Sequence, residues 1–457
     1  MQLFIIISLI CLLFPVHFNN GRKLSEQEAL LGIKSAITDG PYNTLSYWNS
    51  TMQPDHCTWY GIICSNSSVI SLDVSNLNLS GTVSPDIAFL TNLQNLSLAQ
   101  NTLSGPLPSS LSSLKALRVL DLSDNHFTGP LPLSFSEILE LRHLDLTQNN
   151  FSGEIPECFS QLRRLTTLFL NENNLHGSIP EFIGDLQELN ALGLSDNNFS
   201  GRVPQKLGTN GKLSYIDLSR NVLTGNIPEP LGRCRPLSQL YMQHNLLNES
   251  IPKGLFGLLN LTDVDLGDNL LTGEVEIHDS VAVNLKSIFL SNNQLSGTLP
   301  PSIGNFSALQ FLVLDGNSFT GSLPREIGNL HNLCTIDLSS NSFYGSIPRE
   351  SGNLQQLAYI DLSSNNLSGK IPPQITNSTM LMRLNLSRNH LAGDISWLTG
   401  GVDAVDISYN MLQGALSVFL PNLRGEGDNL LLKLSWVVYA LDRKLSDDYH
   451  LLFQAKR

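Results

Sequence analysis

The chain has 457 residues, long enough for several globular domains, and carries 27 basic against 40 acidic side chains for a formal net charge of −13. That balance argues against nucleic acid or an anionic membrane surface as the main partner, because both repel a polyanion, and favours a cationic partner.

The chain opens on an apolar run, Leu3 to Phe14, that is too short to span a bilayer as an ordinary transmembrane helix. It reads as a secretory signal peptide over residues 1–21, with an uncleaved anchor as the alternative. Residues 22–68 read as an end cap. Ser25 and Glu28 stand at capping-box spacing, and Ala29, Leu30, Ile33, Ala36 and Ile37 then fall along one face of a predicted helix. Cys57 and Cys64 flank Trp59 and Tyr60, and in a secreted chain two close cysteines beside such aromatics predict a disulfide rather than a zinc site, which two thiols cannot complete. Cys158, Cys234 and Cys334 occupy different places in the later pattern and are expected to be free thiols.

Residues 69–416 repeat one stretch fifteen times, of which Leu117 to Pro132 is a representative copy. The pattern is L-x-x-L-x-L-x-x-N-x-L/F-x-G-x-L/I-P, and from Asn101 to Asn389 every asparagine follows the last by 24 residues. A period of that length means a leucine-rich-repeat solenoid, an α/β repeat class expected to wind as a right-handed superhelix. Leu120 and Leu122 alternate as a half-buried strand does, which turns Arg118, Val119, Asp121, Ser123 and Asp124 outward onto one concave sheet. A buried asparagine can serve backbone donors and acceptors where each strand ends, so a ladder of them is predicted. Glycine follows the asparagine by four positions in 14 of the 15 repeats, Glu249 being the break, and proline follows by seven in 11. No change of composition divides the array, which suggests one elongated domain. Past Gly414 the register is lost, and residues 417–457 form a divergent tail. Its apolar segment, Leu430 to Leu441, is too short for a membrane span and is expected to lie on the last coil.

Twelve N-x-S/T sequons mark candidate glycosylation sites: Asn49, Asn66, Asn78, Asn95, Asn150, Asn198, Asn248, Asn260, Asn305, Asn366, Asn377 and Asn385. Several come with the N-x-L/F-S-G turn itself. No phosphate loop, metal-binding cluster, nucleophile elbow or kinase loop is present in the sequence; the ten histidines are scattered, and His126, His176, His244 and His390 fall in loop columns where other repeats carry Asn, Leu or Gln. An enzyme is not expected, nor a cofactor or a metal. Binding is expected on the outward strand face, where Phe169, Tyr215, Tyr241, Phe289, Phe311 and Tyr359 place large aromatics. Packing of these rings on one another is the alternative. Asp263 and Asp265 would suit a ligand with a basic residue. Asp121, Asp145, Asp217, Asp265, Asp337, Asp361 and Asp406 share one strand column, and scaffold habit is the simpler reading of it.

Leu24 to Leu31, the Cys57 to Cys64 segment and the recurring S-G-x-I-P resemble the extracellular part of plant leucine-rich-repeat receptor kinases. Leu175 to Leu186, Pro204 to Gly208 and Ile251 to Leu258 resemble the CLAVATA/barely-any-meristem branch. The resemblance implies a cell-surface module, extracellular or held at the membrane, that binds a secreted peptide or protein and works with a membrane co-receptor kinase. Such receptors usually have about twenty repeats, a second cysteine cap, a membrane helix and a kinase, and this sequence shows fifteen repeats and none of the others. A shortened paralogue, a truncated and non-functional gene product, a secreted decoy and a receptor-like protein anchored through a partner are the readings this leaves open. A secreted inhibitor of wall-degrading enzymes, resembling the polygalacturonase inhibitors, is the rival function. In the branch it resembles, an Arg-x-Arg pair on one strand captures the peptide's terminal carboxylate. The matching strand reads Gln239-Leu240-Tyr241, which has no cation, and Arg383 with Asn385 keeps half of such a pair elsewhere.

Overall fold

The computed structural model describes residues 24–413, apart from positions 39, 42, 278–281 and 399–401. The signal peptide and the tail expected from the sequence lie outside the described residues. Where the unbroken period suggests one domain, contacts divide the chain into two compact units, residues 1–270 and 271–457. The pattern itself is irregular on either side of that boundary, with Glu249 in the glycine column and Glu276 in the proline column.

In the first unit the cap begins with helix α1, Glu26–Ser35, whose first turn closes as the capping box requires. The Glu28 N–H donates to Ser25 Oγ at 3.2 Å and the Ser25 N–H to Glu28 Oε2 at 2.8 Å. Ala29, Leu30 and Ile33 are buried beneath it. The helix stops at Ser35, short of its predicted end, because Ile37–Thr38 pairs as a strand with Ser80–Gly81. Trp48 and Trp59 stack with ring centroids 5.8 Å apart, and their indole N–H groups donate to the carbonyls of Tyr60 and Gln53. Cys57 and Cys64 form the expected disulfide, Cα to Cα 5.6 Å. These contacts cover the open apolar end of the array, which has no neighbouring coil to bury it.

Each coil then follows the same course. Val119–Asp121 is a short strand with Leu120 buried, and it lies in parallel register with Asn95–Ser97 and His143–Asp145. Asp124 takes a left-handed φ of 53°, as the residue before the asparagine does in coil after coil, and this turns the chain out of the strand. His126–Pro130 forms a second strand, and a 3-10 turn over Leu133–Glu137 follows Pro132. The second row of strands is absent from the sequence reading, because the N-x-L/F-S-G segment reads as a turn. In the first unit the main row runs in parallel from Ser68–Asp73 to Asp263–Asp265, and in the second unit from Ser287–Phe289 to Ala404–Asp406.

The asparagine ladder binds the coils together. Asn125 is buried; its Oδ1 accepts from the Leu103 N–H of the preceding coil, while Nδ2 donates to the carbonyls of Leu98, Leu122 and Ser123. One side chain therefore satisfies four backbone groups that two neighbouring coils would otherwise leave unpaired. The same set recurs at Asn149, Asn221 and Asn245 in the first unit and at Asn365 and Asn389 in the second. Glu249 keeps the glycine backbone at a φ of 64°, which costs a side-chain-bearing residue on the order of 1 kcal/mol.

Candidate functional site

The strands of each unit hold every other side chain outward, so the candidate site is built from columns running across the coils. The aspartate column resolves into backbone work. Asp121 Oδ1 accepts from the Ser123 N–H at 3.1 Å and the Ser123 hydroxyl at 2.7 Å, and Asp217 does the same with Ser219 at 3.0 and 2.6 Å. Asp337, Asp361 and Asp406 each cap the N–H two residues on, and Asp73, at the same place in the first coil, serves Ser75. Where Gly193 interrupts the column, Asn171 Oδ1 of the preceding coil accepts from the Ser195 N–H instead. The column therefore caps strand ends, as the scaffold reading has it.

On the first unit, Phe169, Tyr215 and Tyr241 form a chain of edge-to-face contacts, with centroids 5.8 Å apart for Phe169 with Tyr215 and 6.1 Å for Tyr215 with Tyr241. Phe169 and Tyr215 meet across an intervening strand because that strand offers only Ala191 and Gly193. A Cβ on Gly193 would come within 2.9 Å of the Phe169 ring. His143 continues the chain on the other side of Phe169 at 6.2 Å. Packing of these rings on one another is thus part of their role, and all three stay half-buried.

Tyr241 is flanked in register by Asp217 on one side and Asp265 on the other. Its hydroxyl accepts from Gln239 Nε2 at 3.1 Å, so the strand aligned with the carboxylate clamp is internally satisfied and holds no cation. Burial first, then the surrounding aspartates, push the Tyr241 phenol well above its ordinary range. Asp263 accepts from the Thr262 hydroxyl at 2.7 Å. Asp265 is pushed up to about 7, chiefly by desolvation, with Asp268 and Asp217 adding like charge and the Gly267 N–H and Arg220 opposing them.

On the second unit, Phe289 and Phe311 stack at 6.0 Å, and the Arg383 guanidinium lies over the Tyr359 ring at 5.5 Å. Asn385 is buried, and its Nδ2 donates to Asp361 Oδ2 at 2.7 Å. Arg383 thus lies against the Tyr359 ring, and Asn385, the other half of the pair, is bonded to Asp361. The same bond engages the nitrogen a glycan would need, so Asn385 does not offer an open sequon. Burial, with Asp361 and Asp315 close by, raises the Asp337 carboxyl. Of the other sequon asparagines, Asn49 is half-buried, and Asn66, Asn78, Asn95, Asn150, Asn198, Asn248, Asn260, Asn305, Asn366 and Asn377 are exposed.

Cys158 and Cys234 are buried thiols and Cys334 is half-exposed. Among the described residues, the one grouping of His, Cys, Asp or Glu with metal-ligand spacing is His56, Cys57 and Cys64, whose two sulfurs are joined to each other. No helix among them is long and apolar enough to cross a membrane.

Three family models match the chain: the leucine-rich repeat N-terminal domain at residues 24–65, the leucine-rich repeat region at 97–300, and the leucine-rich repeat at 308–330, 332–354 and 356–378. Among solved structures, the PEPR1 complex with AtPEP1 is similar at 31% identity and a TM-score of 0.73, covering 85% of this chain and 59% of that one. The plant peptide hormone receptor RGFR1 in complex with RGF2 is similar at 32% identity and a TM-score of 0.62, covering 73% and 61%. Among curated relatives, Pollen receptor-like kinase 1 of Arabidopsis thaliana is 37% identical over 102 residues, which are 21% of this chain and 14% of that protein. The chain thus spans about three fifths of the two receptor structures and a small part of the curated relative.

Proposed function

Since the chain belongs to the leucine-rich-repeat family, with the architecture of plant receptor-kinase ectodomains, we propose that it is an extracellular, non-catalytic module binding a peptide or protein ligand on its outward strand face. The observation that carries this reading is the run of half-buried aromatics on that face, where the repeat would otherwise place small polar residues and capping aspartates. Aromatic side chains held by neighbours lose little entropy on binding, which makes them suitable anchors. RGFR1, described as a peptide hormone receptor, supports a peptide as the ligand class. The kinase in the name of Pollen receptor-like kinase 1 does not transfer through a match to 14% of that protein. Signalling would pass through a membrane co-receptor kinase.

The ligand differs from the free-carboxylate peptides of the branch the sequence resembles, since Gln239 and Tyr241 hydrogen-bond to each other and neither can bind a carboxylate bidentately. Calorimetry with a panel of secreted-type peptides, each made with free and amidated C-termini, tests this. Binding should be indifferent to amidation and weakened by Tyr241→Ala and, separately, by Phe289→Ala. Tight binding that vanishes on amidation and survives both substitutions would overturn the proposal.

A further inference from the structure

The residue after each ladder asparagine leads into the second row of strands, and it is polar in every coil from Thr102 to Asn198 and again from Gln294 to His390. Between them the column reads Val222, Leu246 and Leu270, three aliphatic side chains in consecutive coils of the first unit, 41, 47 and 43% exposed. The second row of that unit ends on Leu246–Leu247, and an asparagine follows at once. The Asn248 N–H still donates to the Gly225 carbonyl at 2.9 Å, so the strand alternation carries through it and puts its exposed side chain on the same side as Leu246. The Leu270 N–H donates to the Leu247 carbonyl at 2.8 Å, the parallel bond that sets Leu270 beside Asn248. Asn248-Glu249-Ser250 is a sequon the repeat does not supply, for at the place of Asn248 the other coils carry Ser, Thr, His, Tyr, Ala or Gln.

We propose that Asn248 carries an N-linked glycan whose first N-acetylglucosamine residues lie along Leu246 and Leu270 and cover the aliphatic stripe. The inference rests on the extracellular part of the proposed function, since the modification requires passage through the secretory pathway. The sugar comes from a lipid-linked diphosphate oligosaccharide. Asn248 Nδ2 bonds to C1 of the first sugar as the bond from C1 to the diphosphate oxygen breaks, and the proton lost from Nδ2 leaves with the lipid diphosphate. A pyranose ring presents axial C–H groups on one face, so an aliphatic stripe beside the attachment point lets both apolar surfaces leave water together. Contiguous exposed apolar side chains mark an interaction surface, and here the occupant is tethered next to it. Asn150 is the contrast, an exposed sequon in the polar part of the same column with Thr128 beside it and Ser152 two residues along.

The test is site-resolved glycopeptide mass spectrometry of the full chain produced in plant cells, with melting temperatures of variants made in the same host. Asn248 should be occupied. Asn248→Gln should lower the melting temperature by about 2 °C or more in the wild-type background, the shift expected for losing a modest surface contact in a unit of this size. The same change should cost less than half as much in a Leu246→Thr, Leu270→Gln background, which gives the stripe the polar residue types of other coils. Asn150→Gln should leave the melting temperature unchanged. An empty Asn248 in a chain glycosylated at other sequons would overturn the inference and leave the extracellular reading intact, whereas a chain with no glycan at any sequon would count against both. Equal losses in the two backgrounds, no loss in either, or a loss as large in Asn150→Gln would overturn the packing and leave the stripe as a surface for a protein partner.

Discussion

The asparagine ladder and the strand face at residues 215–267 lie a few residues apart in every coil and follow opposite rules. In the ladder one residue type does one job throughout: Asn221 accepts from the Phe199 N–H and donates to three carbonyls, just as Asn125 does in its own coil. On the face the capping aspartate is the default, and the departures from it, at Phe169, Gly193 and Tyr241, create the aromatic chain. A residue that recurs identically is serving its own backbone, whereas the aromatics that break the column are, in the proposed reading, the ligand anchors. Stability and recognition are therefore separable by mutation.

The largest effect should come from the ladder. Asn221→Ala removes four hydrogen bonds and strands the Phe199 N–H in the core, so urea unfolding should show a loss of about 3 kcal/mol or more. Next comes the gap that lets the aromatic chain form. Gly193→Val would place Cβ 2.6 Å from the Asn171 amide and 2.9 Å from the Phe169 ring, so a cost of about 2 kcal/mol should accompany displacement of the ring. In the opposite direction, Glu249→Gly should stabilise by about 1 kcal/mol or less, because the residue already holds a left-handed φ of 64°. A loss of stability there would mean that the glutamate side chain makes a contact worth more than the strain.

The smallest effect is a pH slope. Asp265 has its carboxyl raised from 3.8 to about 7, so the folded chain holds a proton that the unfolded chain releases. Its contribution to stability therefore falls as pH rises from about 4 to about 7 and levels off above that. Asp265→Asn should lack this component of the decline when urea midpoints are compared across that range. An unchanged slope would show that the carboxylate is ionised throughout.

Much of this architecture is legible in the sequence because it repeats. The 24-residue asparagine spacing, the Ser25 and Glu28 capping box and the Cys57 to Cys64 pair each name their own geometry. The second strand row is not legible, since its residues pair only with the equivalent turn of the next coil and carry no alternation of their own. Nor is the left-handed residue before each asparagine, which is Asp, Gln, Glu, Arg, His, Asn, Ser or Tyr in most coils and a telling glycine at Gly316 alone among them. Phe169 and Tyr215 were visible as outward aromatics, but their contact depends on the missing side chain of Gly193 between them. Gln243 could have been noticed only as a large amide where most coils carry a small side chain, and that its buried oxygen has no hydrogen-bond partner is visible in the structure alone. Asn385 misleads in the other direction, because an outward strand position suggests an open sequon until the bond to Asp361 is seen.

The most direct test of the separation between ladder and face is the affinity of the full chain for a ligand chosen from the amidation panel, measured on a Tyr215→Ala, Tyr241→Ala double variant with its urea midpoint determined in parallel. Affinity should fall at least about tenfold, as loss of aromatic anchors does, while the midpoint moves less than it does in Asn221→Ala. Unchanged affinity in a folded double variant would contradict the assignment of the strand face as the binding surface.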